Sequence, residues 1–283
     1  MTFLNVTDGE NLELKFEFES ITSRKNPKII HACTLSDKKN RDKDGLFTFE
    51  GEKLLYEALK ENVEIAELFF TERAQSSCTQ MICTAAKNGA RLYLVTDEVY
   101  AKLTYEKASQ QIFAVAVKKQ IPYFDEKCED CGFVVLESVR DPSNVGAILR
   151  TCTALGNEKI LLSSDCADVY SYKTLRAAMG AVFKAKLYFV QDIEKGIEIL
   201  RKKGKVYAAA LTENAVSIAD ADFCENDSII IGNEGHGVSD NVLENCDSAV
   251  IIPMQCGSES LNASVAAAIL IWEKARKTNK AYR

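Results

Sequence analysis

From Gly132 onward, short runs recur that are apolar at nearly every position rather than at alternate ones. Gly132-Phe133-Val134-Val135-Leu136-Glu137 is the first. Similar runs return at Lys159–Leu162, Lys186–Val190, Val206–Leu211, Ser228–Ile231 and Ala249–Ile252. Strands patterned this way are covered on both faces, the habit of parallel sheets flanked by helices. Helical stretches separate most of them, and the series closes on an amphipathic helix from about Leu261 to Lys277. The second half is therefore expected to be an α/β domain on a parallel sheet.

The first half alternates strands and helices too. Leu12 to Glu19 has the period-two pattern of a half-exposed strand. A basic helical stretch follows, and Leu46–Gly51, Ile65–Thr71, Arg91–Val95 and Ile112–Val117 read as strands. Glu52–Glu61 puts Leu54, Leu55, Ala58 and Leu59 on one helical face, and Thr79–Asn88 reads as a helix closed by Gly89. Lys118 to Cys131 is polar, holds Pro122 and reads as a linker. The expected division is an N-terminal extension (1–20), a smaller α/β domain (21–118), a linker (119–131) and a larger domain (132–283).

Composition narrows the function classes. No apolar run reaches the roughly 18 residues of a membrane span. Met1 to Ser20 carries five acidic residues against the single Lys15, unlike a secretory signal, so a cytoplasmic protein is expected. Ten cysteines then read as free thiols. Cys128 and Cys131 have CxxC spacing, but only His31 and His236 exist as histidines and the other cysteines are scattered, so no metal site is expected. The net charge of −6 argues against a protein that coats nucleic acid. Yet Ile21–Gly45 gathers Arg24, Lys25, Lys28, Lys38, Lys39, Arg41 and Lys43 against three acids. That stretch either meets phosphates or is a solvated helix face.

Three segments could carry chemistry. Asp141-Pro142-Ser143-Asn144-Val145-Gly146-Ala147-Ile148-Leu149-Arg150 follows a strand and opens a helix, with Gly146 allowing close approach of a backbone or ligand. Asn144 reads alternatively as a helix cap. Ile231-Gly232-Asn233-Glu234-Gly235-His236-Gly237 leaves a buried strand, and its glycines imply a tight turn near a ligand. Its spacing is GxxGxG, the reverse of the dinucleotide fingerprint, and no Walker A motif occurs. That absence weighs against a nicotinamide enzyme. Third, Ile251-Ile252-Pro253-Met254 and Gly257-Ser258-Glu259-Ser260-Leu261-Asn262-Ala263-Ser264 run into the last helix, which Ser258 or Ser260 would cap.

Together these segments resemble the SpoU (TrmH-like) branch of the SPOUT superfamily of RNA ribose methyltransferases. Asn144, Gly146 and Arg150 match its first motif. Gly232, Glu234, Gly235 and Gly237 match the second. Ile252, Pro253, Ser260, Leu261 and Asn262 match the third. Ile21–Pro27 and Phe49–Lys53 are similar to the family's substrate-binding domain. Ala178 departs from the serine that relatives often carry.

The resemblance implies a C-terminal domain with a deep trefoil knot, an N-terminal domain like ribosomal protein L30e that holds RNA, and a homodimer with its active site at the subunit interface. It implies S-adenosylmethionine as cofactor, bound near Leu211, Gly232, Ile252 and Leu261. The RNA is ribosomal rather than transfer RNA on this reading, with Arg24, Lys25 and Lys28 touching it. Arg150 would act on the ribose 2′-hydroxyl. The family is described with this arginine as base, but a guanidinium hardly deprotonates, so stabilising the nascent alkoxide suits it better. Glu234 would orient Arg150, while Asn144, Ser260 and Asn262 shape the site. A non-catalytic RNA-binding relative would have lost Asn144, Arg150 or Glu234, and this chain keeps all three.

Overall fold

The computed structural model describes residues 2–7, 13–106, 110–255 and 260–278, up to residue 15 by backbone alone. The chain falls into two compact units that divide between Lys119 and Gln120, with Tyr170–Tyr172 belonging to the first.

The first unit runs β1 (Thr2–Thr7), β2 (Glu13–Ile21), α1 (Pro27–Thr34), α2 (Lys38–Asp44), β3 (Leu46–Glu50), α3 (Glu52–Lys60), β4 (Ile65–Phe70), α4 (Glu72–Ser77), α5 (Thr79–Lys87), β5 (Arg91–Val95), α6 (Asp97–Leu103) and β6 (Ile112–Val117). The strands form one mixed sheet in the order β1-β2-β5-β4-β6-β3. Phe69 stacks on Tyr93 at 4.9 Å, and both pack with Ile29, Val99 and Phe113 in the core. Glu19–Ile21 pair in parallel with Tyr93–Val95. Residues expected as an extension ahead of this unit are thus part of its sheet. Alternation identifies a strand but says nothing of its neighbour.

The basic stretch forms two helices rather than one. Asn26 caps α1 ahead of Pro27, accepting from the Lys28 N–H at 2.9 Å, and Asp37 caps α2. Gly45 ends α2 in the left-handed conformation, φ 66°. Arg41 is buried, and its guanidinium donates to the Leu35 and Ser36 carbonyls at 2.9 and 2.7 Å, so it satisfies the end of α1.

The second unit runs β7 (Val134–Leu136), α7 (Pro142–Ala154), β8 (Lys159–Ser163), α8 (Tyr172–Ala178), α9 (Ala181–Lys184), β9 (Lys186–Val190), α10 (Ile193–Arg201), β10 (Val206–Ala209), β11 (Val216–Ser217), β12 (Ser228–Ile231), α11 (Asp240–Asn245), β13 (Ser248–Ile251) and α12 (Ala263–Thr278). Its sheet has the order β11-β13-β10-β12-β7-β8-β9, and every pairing is parallel. Phe133, Val135, Leu161, Val206 and Ile230 fill its core. The apolar runs of the sequence are these strands. From β7 the chain builds outward through β8 and β9, then returns to build β10 and β12 on the other side. A parallel sheet opens a crevice at such a reversal, beyond the carboxyl ends of its strands.

Gly146 brings α7 against α8. A Cβ there would meet the Thr174 carbonyl at 2.5 Å and the Ala177 Cβ at 2.6 Å, so this glycine serves helix packing. On α12, Lys274 is 2% exposed, and its ammonium donates to the Asp227 carbonyl at 2.5 Å and, more weakly, to Gly132 at 3.4 Å. Those residues lie just before β12 and β7, so α12 is fixed at the amino edge of the sheet.

Burial pushes the Lys274 pKa down to about 8, against about 10.4 when unfolded. Between those values the unfolded chain binds the extra proton, so this group makes stability rise with pH there. Denaturation of wild type and Lys274→Met across pH 7–11 should show the wild type gaining up to about 3 kcal/mol over the variant through that window. A constant difference would refute the assignment.

Candidate active site

Loops leaving β7, β10, β12 and β13 and the start of α12 meet at the carboxyl edge of the second sheet. Glu234, after β12, is held by three donors. Its Oε1 accepts from the Asn144 side-chain amide and the Asp141 N–H, both at 3.0 Å, and its Oε2 from the Arg140 N–H at 3.2 Å. Asn144 is buried, and its carbonyl oxygen accepts from Asn262 Nδ2 at 3.1 Å. Asn262 Oδ1 in turn accepts from the N–H groups of Ser264 and Val265 at 2.9 and 3.4 Å. One chain of bonds thus ties the β12 loop, the start of α7 and the start of α12. Burial works to raise the Glu234 pKa, but the Asn144 amide and the two backbone donors outweigh it and hold it below the ordinary value.

The turn after β12 is locked from within. Asn233 and Gly237 exchange two backbone hydrogen bonds at 2.9 Å, and Asn233 Oδ1 accepts from the N–H groups of Gly235 and His236 at 2.9 and 3.2 Å. Gly237 has φ 72°, and a Cβ on Gly232 would meet the Gly237 carbonyl carbon at 2.2 Å. The loop after β7 clamps this turn. Buried Glu137 accepts from the Ser239 hydroxyl and N–H at 2.5 and 3.1 Å, and the Ser138 carbonyl accepts from Asn233 Nδ2 at 2.8 Å. Ser138 sits at φ 54°, a strained conformation held by that bond and by its N–H donating to Ser163 Oγ at 2.8 Å.

These loops enclose a cavity of about 460 Å³, within the size range of small-molecule sites. Of the expected residues, Leu211, Gly232, Ile252 and Leu261 line it, with Glu234 and Ser260. Asn144 and Asn262 stand behind Glu234. Arg150 does not line it. It is exposed on α7, and its guanidinium has no partner among the described residues.

Two expectations are corrected, and a third is not met within one chain. Glu234 does not touch the Arg150 of its own chain: its oxygens accept from Asn144 and two amides. Spacing places both residues near one sheet edge but says nothing of side-chain direction, and six residues turn a helix by roughly 600°, carrying Arg150 off the Asn144 face. Asp141, not Asn144, caps α7, accepting from the Ser143 and Asn144 N–H groups at 2.6 and 3.3 Å. Asn262, not Ser260, caps α12; Ser258 lies outside the described residues. Asn233 and Glu137 were missed as site residues. An asparagine between a strand and glycines is a turn signal, while the buried Glu137 left no signal in its apolar run.

Glu234→Ala should lower stability by about 1–3 kcal/mol and raise amide hydrogen exchange in both 140–144 and 233–238. Because its folded pKa is depressed, the Glu234 contribution is complete above about pH 4.3 and is lost as pH falls through the folded value. Exchange confined to residues 233–238 would show that the carboxylate does not couple the two loops.

Comparison with known proteins agrees with this arrangement. The SpoU rRNA methylase family model matches residues 132–272 and the MRM3-like substrate-binding domain matches residues 18–114. The chain is 32% identical over 256 residues to the 23S rRNA (guanosine(2553)-2′-O)-methyltransferase RlmP of Bacillus subtilis, covering 90% of this chain and 98% of that one. An rRNA methyltransferase from Sinorhizobium meliloti superposes with TM-score 0.82 at 27% identity, over 93% of this chain and 98% of its own. The AdoMet-bound form of an rRNA methyltransferase from that organism gives TM-score 0.81, also at 27% identity, over 92% and 98%. With both domain models matched, a relative 32% identical over nearly its whole length and the same fold, the chain belongs to the SpoU rRNA methylase family.

Proposed function

We propose that this protein transfers the methyl group of S-adenosylmethionine to a ribose 2′-hydroxyl of RNA, ribosomal RNA in particular. The observation that carries the reading is the cavity at the carboxyl edge, built by the motif loops. It fits the cofactor. Leu211, Val250, Leu261 and Leu270 give apolar walls that would suit an adenine ring, and Glu234 and Asp240 are the acidic residues in its lining. Leu211, Ile252 and Leu261 lie just outside the regular strands and helices, where their backbone groups can meet polar edges. The B. subtilis and S. meliloti relatives, by their names, act on ribosomal RNA, which favours it over transfer RNA.

The cofactor supplies both electrophile and leaving group. The protein must position the oxygen and stabilise its developing charge. Arg150 suits the second task, yet it stands outside the cavity of its own chain. A homodimer resolves this: the exposed arginine of one protomer serves the cavity of the other. The family resemblance implies such an interface, and exposed Leu211, Leu261, Val265 and Trp272 offer apolar surface for one. The same resemblance carries the deep trefoil knot of the second domain. Among the described residues no helix is long and apolar enough to cross a membrane, which accords with a cytoplasmic place of work.

In the first unit, Lys28 pairs with Glu19 and lies over the Tyr93 ring at 4.5 Å. Arg24 and Lys25 are exposed, and their side chains have no partner among the described residues. They are the freer groups to meet phosphates.

Arg150→Ala should lower single-turnover methyl transfer about 10²–10³-fold while calorimetry shows cofactor affinity nearly unchanged. Neither that variant nor Gly232→Val, whose Cβ would collide with the Gly237 backbone, should work alone. Their co-expressed mixture should regain activity, since one site in a mixed dimer is intact. Failure to regain it would refute the shared site; full activity in Arg150→Ala would refute the role of the arginine.

For RNA, Arg24→Ala with Lys25→Ala should weaken binding and reduce the log–log salt slope by about 0.7–0.9 for each phosphate no longer neutralised. Lys28→Ala alone should change it less. An unchanged slope in the double variant would count against this surface.

A further inference from the structure

Stabilising an alkoxide does not say where the proton of the 2′-hydroxyl goes. A guanidinium cannot take it. Glu234 is the obvious carboxylate at the cavity, but both its oxygens are committed to Asn144 and the amides of Arg140 and Asp141, and protonating it would undo the tie between loops. Asp240 is a carboxylate in the first turn of α11. A carboxylate is ordinarily a weak proton acceptor at neutral pH.

His236 remains. It is one of two histidines in the chain, and the other, His31, pairs with Asp44 at 3.0 Å in the first unit. His236 lines the cavity and is exposed there, and its ring has no partner among the described residues. Its backbone is fixed, because its N–H donates to Asn233 Oδ1 inside the locked turn. A locked turn thus sets His236, whose ring has no partner among the described residues, in the lining of the cavity. Within one protomer the charged groups around that space are Glu234 on the same loop and Asp240 on α11; the proposed dimer adds the other protomer's Arg150. The walls from β10, β13 and α12 carry no charge among the described residues.

We propose that His236 is the catalytic proton acceptor for the ribose 2′-hydroxyl, a role that rests on the methyltransferase reading above. The O2′ oxygen gains the methyl carbon as the carbon–sulfur bond breaks and its electron pair stays on sulfur. The O2′ proton passes to the unprotonated ring nitrogen of His236, and the imidazolium returns it to solvent. The role divides the work between residues. Asn144, Glu234 and Asn262 hold the loops, Arg150 meets the negative charge, and His236 removes the proton.

Two measurements test it. With only two histidines, the ring Cε1–H signals of the full-length protein can be assigned by comparison with His31→Gln. On titration with S-adenosylhomocysteine, the His236 signal should shift and its protonation midpoint move, while that of His31 should not. Calorimetry under the same conditions verifies that the ligand binds. Binding without any change at His236 would overturn the proposal, whatever the activity. The second measurement is single-turnover methyl transfer to ribosomal RNA from a strain lacking this protein, followed from pH 5 to 9. The wild-type rate should fall tenfold per pH unit below the His236 midpoint. His236→Gln should lose that limb and run about 10²–10⁴-fold slower, with cofactor affinity within about twofold. A variant that keeps the wild-type rate, or keeps the acid limb, would overturn the assignment. Absence of transfer by the wild type on every RNA offered would instead overturn the methyltransferase reading, while the resonance measurement still reports whether His236 meets the bound ligand.

Discussion

One carboxylate ties together the loops at the carboxyl edge of the second unit's sheet. Glu234 leaves the end of β12 and accepts from the first residues of α7 and the loop before it. Through Asn144 the same tie reaches Asn262, which caps α12. It adds to the ties that Glu137, Ser138 and the Asn144–Asn262 pair make between the same segments. An ionised acceptor with three donors is stronger than the same number of neutral hydrogen bonds. Three donors thus make this carboxylate a tie between loops.

α12 is fixed at both ends by different means. At the carboxyl edge of the sheet, Asn262 joins it to Asn144. At the amino edge, the buried Lys274 ammonium meets the carbonyls that precede β12 and β7. The first attachment goes to α7 and the second to the residues before β7 and β12, the strands on either side of the point where strand order reverses. The helix runs from one edge of the sheet to the other, and Ala263, Ala266 and Leu270 form one wall of the cavity. Small side chains facing that space leave volume for a ligand that larger ones would fill.

Much of this was legible in the sequence, for definite reasons. The uniformly apolar runs named the strands of the parallel sheet because burial on both faces leaves no alternation to confuse them. Arg91–Val95, Ile112–Val117 and Ser228–Ile231 match β5, β6 and β12 residue for residue. The motif loops were found because glycine and asparagine mark backbone shapes other residues resist. Direction was not legible. Glu234 and Arg150 share a sheet edge, but a helix carries Arg150 away from the cavity, and no spacing rule reveals that without the orientation of α7. Nor could the basic count around residues 21–45 separate Arg41, spent on the carbonyls ending α1, from exposed Arg24. Charge reads the same in a sequence whether it faces water or the end of a helix.

The partition of charged groups follows from what each must do during a reaction. A residue that fixes geometry should not change its protonation, because its hydrogen bonds would reverse or vanish. Glu234 meets that requirement: its donors keep it ionised far below neutral pH. A residue that accepts a proton must do the opposite. It needs an uncommitted ring or oxygen, a fixed backbone and access to solvent for release. His236 has all three, on the same turn and two residues away. The same tight loop carries the committed Glu234 carboxylate and the His236 ring, and Asn233 with the glycines at 232, 235 and 237 turns the chain sharply between them. The turn, more than either side chain alone, is what lets structure and reactivity sit so close without interfering.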